Sequence, residues 1–162
     1  MPHDEVLEGR VVEDISSVDL GQLYLELHHR FYRLVDEAMV SAGLSLSRAK
    51  VLKQLHENGP MKQVALAATL GLAGRSVTDA VDALERQSFA VRKVDPNDRR
   101  VWLVDITSAG ATALTSAMAA KTRAMHDIFG ALDAPARAEL ARLLVSLRDR
   151  LTHDPGELHA QQ

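Results

Sequence analysis

Cysteine is absent from the 162 residues. That absence removes a disulfide framework, thiolate metal sites, iron–sulfur clusters, a cysteine nucleophile and thiol redox switching. Aromatic residues are scarce, at 4% with a single Trp, so a core must be assembled mainly from Leu, Val and Ala, and Ala and Leu favour helices. No apolar run approaches the roughly 20 residues that span a bilayer. The start of the chain, Met1-Pro2-His3-Asp4-Glu5, is acidic where a signal peptide would be basic. The expectation is a soluble cytoplasmic protein. No glycine-rich phosphate loop, nucleophile motif or His-Glu pair at zinc spacing is present either, so no enzyme is expected.

An excess of positive charge is also missing, since the chain carries a net −3. The balance is uneven, however. Seven carboxylates (Asp4, Glu5, Glu8, Glu13, Asp14, Asp19, Glu26) against Arg10 alone give residues 1–26 a net −6, which leaves +3 on the remainder. An acidic leader is thus attached to a mildly basic body, a weak pointer to a polyanionic partner.

Residues 1–15 lack helical periodicity and read as a flexible acidic leader. Leu20, Leu23, Leu27, Phe31, Leu34, Val35 and Ala38 then recur at three- and four-residue steps, a helical stripe running to about Ser41 with Gly43 as its stop. A second helix opens near Ser45 or Ser47 and ends at Asn58-Gly59-Pro60. A third is expected from about Met61 to Leu70 with Val64, Ala65, Ala68 and Leu70 inward; Gly71 breaks it. A fourth runs from Ala73 or Gly74 to about Gln87 on Val77, Ala80, Val81 and Leu84.

The period then changes. Phe89, Val91 and Val94 alternate with polar positions, Asp95-Pro96-Asn97-Asp98 is a turn cluster, and 101–106 form a second strand, so the pair reads as a β-hairpin with a long charged tip. Thr107 or Ser108 caps a fifth helix that ends at Gly130. Asp133 caps a sixth, with a stripe of Leu140, Leu143, Leu144, Leu147 and Leu151, and 154–162 read as a flexible tail.

This order is mainly α with a small β-hairpin wing: a winged helix-turn-helix over 45–106, flanked by helical dimerisation regions at 16–44 and 107–153. With Val77, Ala80, Val81 and Leu84 inward, the fourth helix leaves Arg75, Ser76, Thr78, Asp79 and Asp82 outside. Arg75 suits a guanine edge, and Ser76 and Thr78 suit bases or phosphates. On the tip, Arg99 and Arg100 suit a narrow minor groove, with Asp98 orienting one of them by a charge-assisted bond. Lys62 is a candidate phosphate contact. The same polar residues also suit a plain solvated helix and hairpin.

Leu70-Gly71-Leu72, Ser76-Val77-Thr78, Val81-Asp82-Ala83-Leu84-Glu85, Asp95-Pro96-Asn97-Asp98-Arg99-Arg100 and Leu103-Val104-Asp105-Ile106-Thr107-Ser108-Ala109-Gly110 together resemble the MarR family of bacterial transcription regulators. The wing signature Asp-x-Arg, five residues, then aliphatic-Thr falls on Asp98, Arg100, Ile106 and Thr107. The resemblance implies a homodimer whose terminal helices interlock and whose two winged lobes grip a pseudo-palindromic operator, acting as a repressor. It makes Arg100 the minor-groove contact. Two departures stand out. Asp79 occupies a position that is often basic, where it repels phosphate or selects a cytosine donor. Gln87-Ser88-Phe89 lacks the Gly often found at the end of the reading helix.

The resemblance also implies release by a small aromatic acid or other lipophilic anion. Candidate contacts are Tyr24, His28 and Tyr32, with small Ala49 leaving space and Arg92 pairing a carboxylate. Tyr24 and Phe31 equally suit a dimer core. No metal or cofactor is expected: adjacent His28 and His29 diverge on a helix, and only a cross-element arrangement such as His28 with His126 escapes that argument. The rival class is a helical dimeric protein-interaction module that keeps the winged fold without reading DNA.

Overall fold

The computed structural model describes residues 15–153 as six helices and one hairpin. The order is α1 (Ser17–Ser41), α2 (Leu46–Asn58), α3 (Gln63–Leu70), α4 (Gly74–Arg86), β1 (Ala90–Val94), β2 (Trp102–Ile106), α5 (Ser108–Gly130) and α6 (Ala134–His153). Most of the acidic leader and the tail 154–162 lie outside the described residues. No single described helix is long and apolar enough to cross a membrane.

The chain forms two compact units, Met1–Lys121 and Thr122–Gln162, which divide within α5. α1 falls in the first unit. Its C-terminal half explains this. Val35 and Met39 are buried, as is Leu44 just beyond the helix, and the Asp36 carboxylate accepts the Leu46 N–H at 2.6 Å, supplying α2 with the N-terminal cap that Ser45 does not provide. The core of this unit continues through Ala49, Val51, Leu52, Leu55, Leu66, Val77, Val81, Leu84, Ala90, Val104, Leu114 and Ala117. By contrast every residue from Leu20 to Arg30 is exposed.

Three local expectations need correction. The third helix does not begin at Met61. Met61 exchanges both backbone hydrogen bonds with Val104, at 2.9 and 2.8 Å, so its peptide groups serve the hairpin and α3 starts at Gln63. The inward residue of α3 is Leu66, fully buried, whereas Val64 is 82% exposed and Ala65 and Ala68 are also outside. Phe89 belongs to the close of α4 rather than to a strand, so the buried side of β1 starts at Ala90, one residue out of step with the expected alternation.

β1 and β2 pair antiparallel, with Ala90 opposite Ile106, Arg92 opposite Val104 and Val94 opposite Trp102. In the second unit, α6 is opened by Asp133, whose carboxylate accepts the Ala136 N–H at 2.8 Å. Its Leu143, Leu144, Leu147 and Leu151 are all exposed.

Candidate nucleic-acid interface

α3 and α4 meet at 116°, within the range of helix-turn-helix pairs. Gly71 makes the corner. It sits at φ 62°, ψ 33°, and the Leu72 N–H returns to the Ala67 carbonyl at 3.0 Å, the bond that closes a Schellman turn. A side chain at that φ would be strained, which is why glycine fits the position. α4 then buries Val77, Val81 and Leu84 and leaves Arg75, Ser76, Thr78 and Asp79 exposed, as their spacing predicts. The Arg75 side chain makes no hydrogen bond or ion pair among the described residues. The Thr78 hydroxyl is engaged internally, donating to the Gly74 carbonyl at 3.1 Å and accepting from Gln63 at 3.2 Å.

Asp82 is only partly solvated. It turns toward the hairpin, where its carboxylate meets Arg92 at 2.6 Å. The Arg92 guanidinium also pairs with Glu85, and its backbone N–H donates to the same Glu85 carboxylate at 2.8 Å. Gln63 adds weaker acceptor contacts at 3.3 and 3.4 Å. Arg92 therefore ties the base of the wing to the reading helix. Sequence reasoning offered it only as a carboxylate receptor; the acidic residues one turn apart at 82 and 85 were the available signal for this clamp.

At the tip, Asp98 holds Arg100 out in a fork, with Nε to one carboxylate oxygen at 3.1 Å and Nη2 to the other at 3.2 Å. The Arg100 backbone N–H donates to Asp98 at 3.0 Å, and the Arg100 side chain remains 91% exposed. The Arg100 side-chain bonds, then its N–H, then the nearby charge of Lys62 keep the Asp98 carboxyl below its ordinary pKa. Lys62 and Arg99 are both exposed. The tip thus presents an oriented guanidinium among further cations.

The end of α4 replaces the missing glycine with strain. Ser88 lies at φ 60°, with its N–H on the Glu85 carbonyl and the Phe89 N–H on the Leu84 carbonyl, both at 2.9 Å. Thr107 then locks this corner: its hydroxyl donates to the Ser88 carbonyl at 2.7 Å and accepts the Gly110 N–H at 3.0 Å, which caps α5. Gly110 is required by closeness, since a Cβ there would lie 2.0 Å from the Phe89 carbonyl oxygen.

The profile described as "MarR family" matches residues 44–102, which cover most of this lobe. Over that stretch the chain is similar to MarR-family regulators. A relative named as an uncharacterized HTH-type transcriptional regulator, YcgE of Bacillus subtilis, is 37% identical over 89 residues, covering 54% of this chain and 58% of YcgE. The chain thus spans less than two thirds of that relative. The transcriptional repressor MprA of Escherichia coli K12 is 24% identical over 146 residues, 87% of this chain and 83% of MprA. The crystal structure of CouR from Rhodococcus jostii RHA1 bound to p-coumaroyl-CoA superposes with a TM-score of 0.61 at 28% identity, over 80% of this chain and 91% of CouR. The matched family model and these names are those of transcription regulators rather than enzymes.

The expected effector residues are only partly assembled. Tyr24 and His28 stack with ring centres 6.0 Å apart, and Tyr32 is exposed on the same helix. Ala49 is buried in the core, and Arg92 is occupied by Asp82 and Glu85. Among the described residues no three His, Asp or Glu side chains converge as a metal site.

Proposed function

We propose that this chain is a regulator of the MarR family: a homodimeric, sequence-specific DNA-binding repressor of a pseudo-palindromic operator. One observation carries the reading: an exposed, largely uncommitted polar face of α4 stands in the same lobe as a tip whose Arg100 is held outward by Asp98. Arg75 is suited to both acceptors of a guanine, Ser76 and Thr78 to bases or phosphates, and Asp79 to a cytosine amino group. Arg99 and Arg100 enter the adjoining minor groove, whose negative potential attracts guanidinium, and Lys62 meets phosphate.

Dimerisation is supported by apolar surface that the monomer leaves uncovered: Leu20, Leu23, Leu27 and Leu34 on α1, and Leu143, Leu144, Leu147 and Leu151 on α6. A second subunit that covers them would also place two reading heads on one duplex. CouR, whose structure holds p-coumaroyl-CoA, supports an aromatic acid or related lipophilic anion as the releasing effector, with Tyr24, His28 and Tyr32 as its contacts. A carboxylate that reached Arg92 would compete with Asp82 and Glu85 and so loosen the wing from α4.

Selection of bound duplexes from a random pool tests the reading. An inverted repeat is expected, its half-sites centred roughly 34–36 Å apart or a multiple of that. Affinity for it should fall log-linearly with salt, and an aromatic acid should weaken it. Failure to enrich any duplex would favour the interaction module, for which the acidic Asp79 on the reading face is the supporting feature.

A further inference from the structure

We propose that Trp102 is the resting point of the DNA backbone between the two grooves, its ring against a deoxyribose and its indole N–H donated to a phosphate oxygen. The inference builds on the DNA-binding reading. It starts from the two faces of the hairpin. On one, exposed Lys93 pairs with the half-buried Asp105 at 2.8 Å. The other carries Ala90, Arg92 and Val94 on β1 opposite Ile106, Val104 and Trp102 on β2. At the level of Arg92 this second face is closed, because Arg92 is bound to Asp82 and Glu85 of α4 and Val104 is buried.

One step further toward the tip, the same face opens. Val94 is 42% exposed and Trp102 57% exposed, an adjacent apolar pair open to solvent. Among the described residues the indole N–H has no acceptor. A Trp with its ring in water and its N–H open to an outside acceptor suits a partner better than core packing.

The charges around it identify the occupant. The tip bears Arg99 and Arg100, and Lys62, at the start of α3, lies close enough to act on Asp98. An apolar ring on the strand that leads back from a cationic tip matches a sugar-phosphate strand: sugar on the ring, phosphates on the cations and the indole N–H. The strand that separates a major groove holding α4 from a minor groove holding the wing tip passes over this face. Such a contact carries no base information, so it sets affinity and register rather than sequence preference.

The test uses the full chain and the duplex recovered by selection. Trp102 is the only Trp, so emission and acrylamide quenching report on it without mutation. Duplex is expected to shift the emission and shield the indole from acrylamide. Trp102→Ala should weaken selected and unrelated duplexes alike, by about tenfold, with the salt slope unchanged because no counterion-releasing charge is lost. Trp102→Phe should fall between the unaltered chain and Trp102→Ala, keeping the ring on the sugar but losing the N–H bond to phosphate. The proposal is overturned if duplex binding is intact and sensitive to Arg100→Ala while emission, quenching and the affinity of Trp102→Ala stay the same. It is equally overturned if the emission changes on diluting the protein without DNA, which would give Trp102 to a subunit contact. Wild-type protein that binds no duplex overturns both this and the DNA-binding reading.

Discussion

α3 and α4 are consecutive helices in one lobe, yet their sequences carry very different amounts of information. In α4 the apolar residues Val77, Val81 and Leu84 alternate with charged and hydroxyl residues, and the buried face falls where that pattern puts it. In α3 only Gln63 and Thr69 are polar. Periodicity locates a face by contrast, and a nearly uniform apolar segment offers none. The decision was made by tertiary geometry: Gln63 had to reach Thr78 and Arg92, and Leu66 then pointed into the core.

The sharpest way to break this comparison is a pair of truncations in α3. Leu66→Ala should cost about 2–5 kcal/mol in urea unfolding, the range for a buried leucine, whereas Val64→Ala should stay within about 0.5 kcal/mol. Equal losses would put the buried face of α3 where its sequence was first read. Next in size, Gly110→Ala should cost about 1–3 kcal/mol, because the added methyl collides with the Phe89 carbonyl beside the corner that closes α4. Ser88→Gly should act in the other direction, raising stability by up to about 1 kcal/mol as the left-handed strain is relieved. Smallest of all, an NMR titration should find the Asp98 carboxyl below the ordinary aspartate range and returned toward it in Arg100→Ala. The sign follows from the depressed value: the fork is intact above the ordinary aspartate pKa and is lost only as the pH falls through the lowered one.

Most of the fold was legible because its boundaries rest on local chemistry. Gly43, Gly71 and the Asn58-Gly59-Pro60 stop ended three helices where turn residues stood, and Asp133 opened α6. The Asp98–Arg100 fork was legible for the same reason, being a contact two residues apart. What escaped were bonds between different elements: Met61 with Val104, Asp36 capping α2, and Arg92 clamped to Asp82 and Glu85. Only the last left a trace in the sequence, the acidic pair one turn apart at 82 and 85. The Thr107 and Gly110 positions lie between these cases. Their signature could be recognised in the chain, but its cause, a hydroxyl on the Ser88 carbonyl and no room for a Cβ, needed coordinates.

The central claim is that the lobe grips a duplex with α4 and an arginine-tipped wing together, and one binding isotherm tests it most directly. At matched salt, Arg100→Ala should bind the selected inverted repeat about 1–3 kcal/mol more weakly than the unaltered chain, with its thermal unfolding unchanged. Equal affinity for that duplex would contradict the claim.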